Sequence, residues 1–121
     1  MLPAAHRLSH RSEFSAVMRG GRRAGRSRLV VHALRRDGES AELPSRVGLV
    51  VSKAVGGSVV RHRISRKLRH VMRPVVASLP PGTDVVLRAH PSAATASSGE
   101  LDADVRSGLR KLGFTLEPTP A

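Results

Sequence analysis

The chain contains no cysteine, no tryptophan and no tyrosine, and its only aromatic residues are Phe14 and Phe114. Without cysteine there can be no disulfide, no thiolate metal ligand and no cysteine nucleophile, a usage that fits a reducing compartment. So few aromatics exclude a sheet of base-stacking platforms of the RRM kind, which needs several on adjacent strands. Acids are also scarce: 9 Asp and Glu stand against 21 Lys and Arg, for a net charge of +12 and a pI near 11.9. None occurs between Glu42 and Asp84, while that interval holds Arg46, Lys53, Arg61, Arg63, Arg66, Lys67, Arg69 and Arg73. No apolar run approaches the length of a membrane span, and Met1-Leu-Pro-Ala-Ala-His-Arg-Leu8 lacks the apolar core of a secretory signal. The chain therefore reads as cytosolic and without a membrane partner.

What is present is enough for one domain. A length of 121 residues with 40% apolar content supplies a single modest core. The excess positive charge opposes compaction unless it is neutralised, and it favours a polyanionic partner.

Periodicity sets the order of elements. Ser12 to Arg19 reads as a short helix capped by Ser12, with Phe14, Val17 and Met18 on one face, ending at Gly20-Gly21. Arg22 to Arg28 reads as a basic loop and Leu29 to Leu34 as a strand. Asp37 to Pro44 carries turn residues and reads as a surface hairpin connection to the strand Arg46 to Ser52. From Ser58 to about Arg73 the pattern is helical: Val60, Ile64, Leu68, Val71 and Met72 share an arc of about 120°, and His62, Arg63, Arg66, Arg69, His70 and Arg73 lie opposite. Arg61 projects near the apolar edge. Asp84 to His90 is a further strand. Ser97 and Glu100 have capping-box spacing, opening a helix through Leu101, Val105, Leu109 and Leu112 that Gly113 can terminate. The order is α-β-β-α-β-α, an α/β sandwich of one small sheet covered by helices, with room for one more strand between Leu29 and Val51.

The segment Lys53 to His70 is the main candidate site. It carries Lys53, Arg61, Arg63, Arg66, Lys67, Arg69, His62 and His70 without a single acid. Planar guanidinium forks on one helix face match successive phosphate oxygens, and the preceding Gly56-Gly57 turn can add helix N-terminal amides. An ordinary solvated helix face normally intersperses acids with its cations, and this one has none. Gly56-Gly57 is no Walker loop or dinucleotide fingerprint, so it reads as a strand-to-helix turn. His62 and His70 have the titration range of a phosphodiester acid and base, but no recognisable catalytic set accompanies them. His6 and His10 are four apart without a third ligand, and Asp102 and Asp104 are sufficiently explained by the helix dipole. Phe14 with Met18 is either a single-strand contact or core.

These residues resemble a known family. Arg46-Val-Gly-Leu-Val-Val-Ser-Lys53, Val55-Gly56 and Val60-Arg-His-Arg-Ile-Ser-Arg-Lys-Leu-Arg69 are similar to the signature of the bacterial ribonuclease P protein subunit: a strand ending in Ser-Lys, a glycine turn, and a helix bearing Arg-Asn-Arg and further cations. The likeness spans about residues 6–113, leaving 114–121 as a tail to a single domain of 1–121. It implies an α-β-β-β-α-β-α fold with a left-handed βαβ crossover. It also implies a non-catalytic, cytoplasmic role in a ribonucleoprotein endonuclease whose RNA removes the 5′ leader of precursor tRNA, using Mg²⁺ held by RNA and substrate. DNA is not an expected partner. The same likeness assigns Lys53, Arg61, His62, Arg63, Arg66, Lys67 and Arg69 to the catalytic RNA, and Phe14, Met18 and His32 to a cleft for the leader. Three positions depart from the pattern. His62 stands where Asn is usual, Met18 where an aromatic is frequent, and His32 where Tyr or Phe is frequent. Each lost stack is worth about 1–3 kcal/mol, which implies weaker leader discrimination. The residues alone also admit a free-standing, ribosome-associated RNA-binding module and, less well, an autonomous protein nuclease.

Overall fold

A computed structural model describes residues 2–116. Its elements are α1 (Arg11–Gly20), β1 (Arg22–Gly25), β2 (Leu29–Arg35), β3 (Arg46–Val50), α2 (Ser58–Val76), β4 (Thr83–Ala89) and α3 (Ser98–Lys111), with 3₁₀ turns at Ala4–His6, Gly38–Glu42 and Pro91–Thr95. The four strands form one mixed sheet in the order β1-β2-β4-β3. β2 is antiparallel to β1 and β4, while β3 and β4 are parallel and joined through α2.

Strand alternation sorts the sheet into two faces. Ala24, Leu29, Val31, Ala33, Val47, Val85, Leu87 and Ala89 enter the main core, which α2 closes with Ile64, Leu68, Val71 and Met72 and α3 with Leu101, Val105 and Leu109. On the reverse face Val86 meets Leu8 and the fully buried Val17 of α1, with Phe14, Met18, Leu34 and Val50 around them. The apolar arc expected for α2 is thus the buried one.

Several boundaries differ from the sequence-based expectation. The N-cap of α1 is His10, not Ser12: one carboxylate oxygen of Glu13 accepts from the backbone N–H of Ser9 and of His10, both at 3.0 Å, which satisfies amides that a hydroxyl at position 12 would not reach. Arg22 to Gly25, expected within a loop, is the edge strand β1, so the additional strand lies before Leu29 and not between Leu29 and Val51, where only β2 and β3 stand. The Asp37–Pro44 connection is not a hairpin, because β4 lies between β2 and β3. α2 continues to Val76; Pro74 sits in its last turn, where the missing N–H costs one bond to His70. The expectations at α3 hold: Ser97 and Glu100 form the capping box, and Gly113, at φ 96°, ends the helix. Of the expected tail, Phe114 and Leu116 pack against the core; residues 117–121 lie outside the described residues.

Candidate nucleic-acid interface

The interface starts from the helix period. With Ile64, Leu68, Val71 and Met72 held in the core, residues offset by half a turn must face solvent, and His62, Arg63, Arg66, Arg69, His70 and Arg73 are exposed. Lys53, in the turn that leads to α2, is exposed as well, and the first helical turn contains no acid. Among the described residues every ion pair is made by Arg28, Arg36, Arg46 or Arg106, so no carboxylate neutralises Lys53 or any cation of α2.

The expected RNA-facing set is not uniform. Lys67 is half-buried and its Nζ donates to the Ala96 carbonyl at 2.9 Å; Arg63 donates through Nη2 to the Ala94 carbonyl at 3.3 Å. Both therefore also tether the turn that leads into α3. Arg61, at the apolar edge as its projection indicated, is half-buried, and its Nε is covered without a partner among the described residues. His62, Arg66 and Arg69 project freely.

Catalysis by the two helix histidines fails on geometry. Eight residues along an α-helix separate His62 from His70 by about 12 Å, too far to flank one phosphodiester. His6 lies in a 3₁₀ turn with Nδ1 2.6 Å from the Ser45 carbonyl, and His10 caps the next helix, so the two do not share a helix face. No group of three or more His, Asp or Glu among the described residues converges to hold a metal ion.

The second expected region lies between α1 and the reverse face of the sheet. Phe14 and Met18 do come together at the rim of the cluster around Val17. The Phe14 ring rests on Gly48, where a Cβ would lie 2.5 Å from its Cζ and 3.1 Å from the Leu8 Cβ. Only glycine in β3 admits that ring, and an isolated Gly inside a strand pattern was the available sign of such an approach.

His32 is on the same sheet face but only 4% exposed, so its ring is covered rather than offered as a stacking surface. Its Nε2 has no hydrogen-bond partner among the described residues. Burial holds its pKa below the ordinary value, and Arg88 and Arg23 push in the same direction. Arg23 faces His32 across β1–β2, and Arg88 sits one step along on β4, paired with Val30. Sequence reasoning missed both arginines, because strand pairing rather than spacing along the chain brings them to His32.

The one acid that the strands bring to that face, among the described residues, is already engaged. Asp84, with a side chain 4% exposed, accepts from Arg36 at 2.5 Å and from Arg46 at 3.0 and 2.8 Å. Arg46 also pairs with Glu13, the residue that caps α1. Its guanidinium is held firmly protonated, first by the hydrogen bond to Asp84. The result is an apolar contact between α1 and the sheet, fastened at one end by this ion-pair network.

Known proteins agree with this architecture. The profile of the family described as Ribonuclease P matches residues 2–113. The chain is 55% identical over 116 residues to the ribonuclease P protein component of Rhodococcus opacus (strain B4), covering 93% of this chain and 92% of that one. It is 51% identical over 121 residues to that of Beutenbergia cavernae, covering 100% and 99%. Among solved structures, the RNase P protein from Staphylococcus aureus superposes with a TM-score of 0.77 at 19% identity, covering 98% and 99% of the two chains. That from Thermotoga maritima gives 0.70 at 20% identity, covering 84% and 93%. At those identities the structures speak for the shared fold, while the family profile and the full-length relatives speak for the kind of protein. The chain belongs to the ribonuclease P protein family, as the protein subunit of that tRNA-processing, RNA-binding endoribonuclease.

Proposed function

We propose that the exposed face of α2, with Lys53, Arg61, His62, Arg63, Arg66, Lys67 and Arg69, binds the catalytic RNA, and that the α1–sheet cleft takes the 5′ leader of precursor tRNA. The observation that carries this reading is the acid-free cationic face of α2. Guanidiniums on successive turns neutralise RNA phosphates and release their counterions, which gives affinity without base readout. In the cleft, Phe14 offers the aromatic surface, Met18 a polarizable one, and Arg23 and Arg88 meet the leader's phosphates. His32, held neutral, tunes the floor.

The protein supplies no general acid or base. Cleavage belongs to the RNA, with Mg²⁺ held by RNA and substrate; in support of this, the acids beside the cleft, Glu13 and Asp84, are both committed to arginines. The protein's contribution is to offset phosphate repulsion, so less Mg²⁺ is needed. No helix among the described residues is long and apolar enough to cross a membrane, and the reading places the chain in the cytoplasm beside its RNA. The test is cleavage of a precursor tRNA by a bacterial ribonuclease P RNA at low Mg²⁺, with and without the protein. Restored accurate cleavage by a protein inactive alone supports the reading; RNA binding without any change in cleavage opposes it.

A further inference from the structure

Phe114, the second of the chain's two aromatics, occupies an unusual place. Gly113 turns the chain at φ 96°, so that the Phe114 N–H returns to the Leu109 carbonyl at 3.0 Å and the Gly113 N–H to Arg110 at 2.9 Å. This is a Schellman closure, which fixes the backbone of residue 114 against the end of α3. The side chain is nevertheless only partly buried.

Two cavities adjoin that side chain. One cavity of about 470 Å³ is lined by Phe114 with Arg22, Arg35, Ser78 and Thr115. A second, of about 260 Å³, is lined by Phe114 with Arg22, Arg35, Leu34 and Gly20-Gly21. The two share the aromatic and both guanidiniums, and among the described residues neither is lined by an acid. Arg22 spends one Nη2 hydrogen bond on the Leu112 carbonyl. Arg35 is exposed at the end of β2 and makes no ion pair or side-chain hydrogen bond among the described residues.

A rigid aromatic flanked by unneutralised guanidiniums is the chemistry that holds single-stranded nucleic acid: a π face for a base and cations for its phosphates. The position argues for the leader as occupant. Leu34 lines the smaller cavity and also packs in the Phe14–Met18 cluster, so the cavity borders that cluster at the C-terminal end of α1. The lining residue Ser78 follows the C-terminal end of α2, about 27 Å along that helix from the turn that begins its basic face.

We propose that this end of the sheet is a second leader station, where a base distal to the cleavage site stacks on Phe114 while Arg35 and Arg22 hold the adjoining phosphates. It rests on the reading that the cleft holds the leader, and it supplies the stacking that Met18 and the covered His32 do not.

The experiment uses the holoenzyme reconstituted with a bacterial ribonuclease P RNA. Kd is measured for precursor tRNAs whose leaders end inside the cleft or extend several nucleotides past it, with wild-type protein and with Phe114→Leu and Arg35→Ala. Leucine keeps the apolar contact with the end of α3 and removes the π face; melting curves confirm folding, and Arg35 reports on the site independently. The affinity gained by lengthening the leader should shrink about tenfold in Phe114→Leu, the worth of one base–aromatic stack. In Arg35→Ala the salt dependence of that gain should fall by about one counterion. If both variants keep the full gain, the second station is wrong and the cleft reading stands. Equal losses for short and long leaders also overturn it. If wild-type protein gains nothing from any leader, the cleft reading and the station fall together.

Discussion

Arg46 bridges two carboxylates from different layers, Glu13 at the start of α1 and Asp84 within β4. The helix that walls the cleft is thereby bolted to the sheet that floors it. Asp84 is the buried hub, since Arg36 and Arg46 both donate to it. Asp84→Ala should cost about 3–5 kcal/mol, because the buried Arg36 loses its counter-charge and Arg46 keeps only Glu13. Urea unfolding measures this, and a loss within about 0.5 kcal/mol, as for an ordinary surface change, would remove the hub from the account.

Glu13 adds a pH dependence of known sign. Its carboxyl is held below the usual range, chiefly by the His10 backbone N–H, then by the Ser9 N–H and Arg46. A depressed folded pKa means stability that is present above the unfolded value and lost as pH falls through the folded one. The stability difference between wild type and Glu13→Gln should thus be constant near neutrality. It should shrink as pH drops below about 4.5, the carboxyl's ordinary value. Parallel pH–stability curves for the two proteins would contradict it.

His32 works in the opposite chemical direction but with the same slope. Burial and two arginines disfavour its charged form, so the unfolded chain binds the extra proton first. Below the ordinary value of 6.5 wild type should lose stability that His32→Gln retains, and above it the two should run parallel. Thermal melts across that window, with the imidazole followed by NMR, check both the slope and its owner.

Gly48 can be tested by the smallest possible addition. A methyl at 48 would collide with the Phe14 ring and crowd Leu8. Gly48→Ala should cost about 1–3 kcal/mol by overpacking and push the ring out of place. The leader's contribution to substrate affinity should fall while affinity for the catalytic RNA is kept. Unchanged leader affinity would show that the ring's seat is immaterial.

On α2 the neighbours Arg66 and Lys67 should separate. Arg66→Ala should leave stability within about 0.5 kcal/mol and lower the salt slope of RNA binding by about one. Lys67→Ala also removes the hydrogen bond to the Ala96 carbonyl and should cost about 1 kcal/mol of stability. Melting and RNA titration on the same two proteins decide it.

What the sequence made legible was local. The α2 stripe follows from a 3.6-residue period, and the α3 boundaries follow from Ser97, Glu100 and Gly113, whose partners are a few residues away. The free projection of His62, Arg66 and Arg69 came with the stripe. What stayed hidden depends on distant pairing. Arg22-Arg23-Ala24-Gly25 has no β-branched residue and becomes a strand because β2 offers its edge. His32 is buried by what pairs on either side of it, and the Arg63 and Lys67 bonds to residues 94 and 96 exist only once α2 and the turn before α3 have met. Nothing in the neighbourhood of Asp84 along the chain announces Arg36 or Arg46.

The strand order has a consequence for how the protein comes into being. β4 is the last strand in the chain, yet it lies inside the sheet between β2 and β3. Until Ala89 has been synthesised, β2 and β3 each present an unpaired backbone edge to their surroundings, and the sheet cannot close. The nascent chain must therefore wait unfolded through most of its synthesis, its positive charge serving over that interval as its protection against self-association.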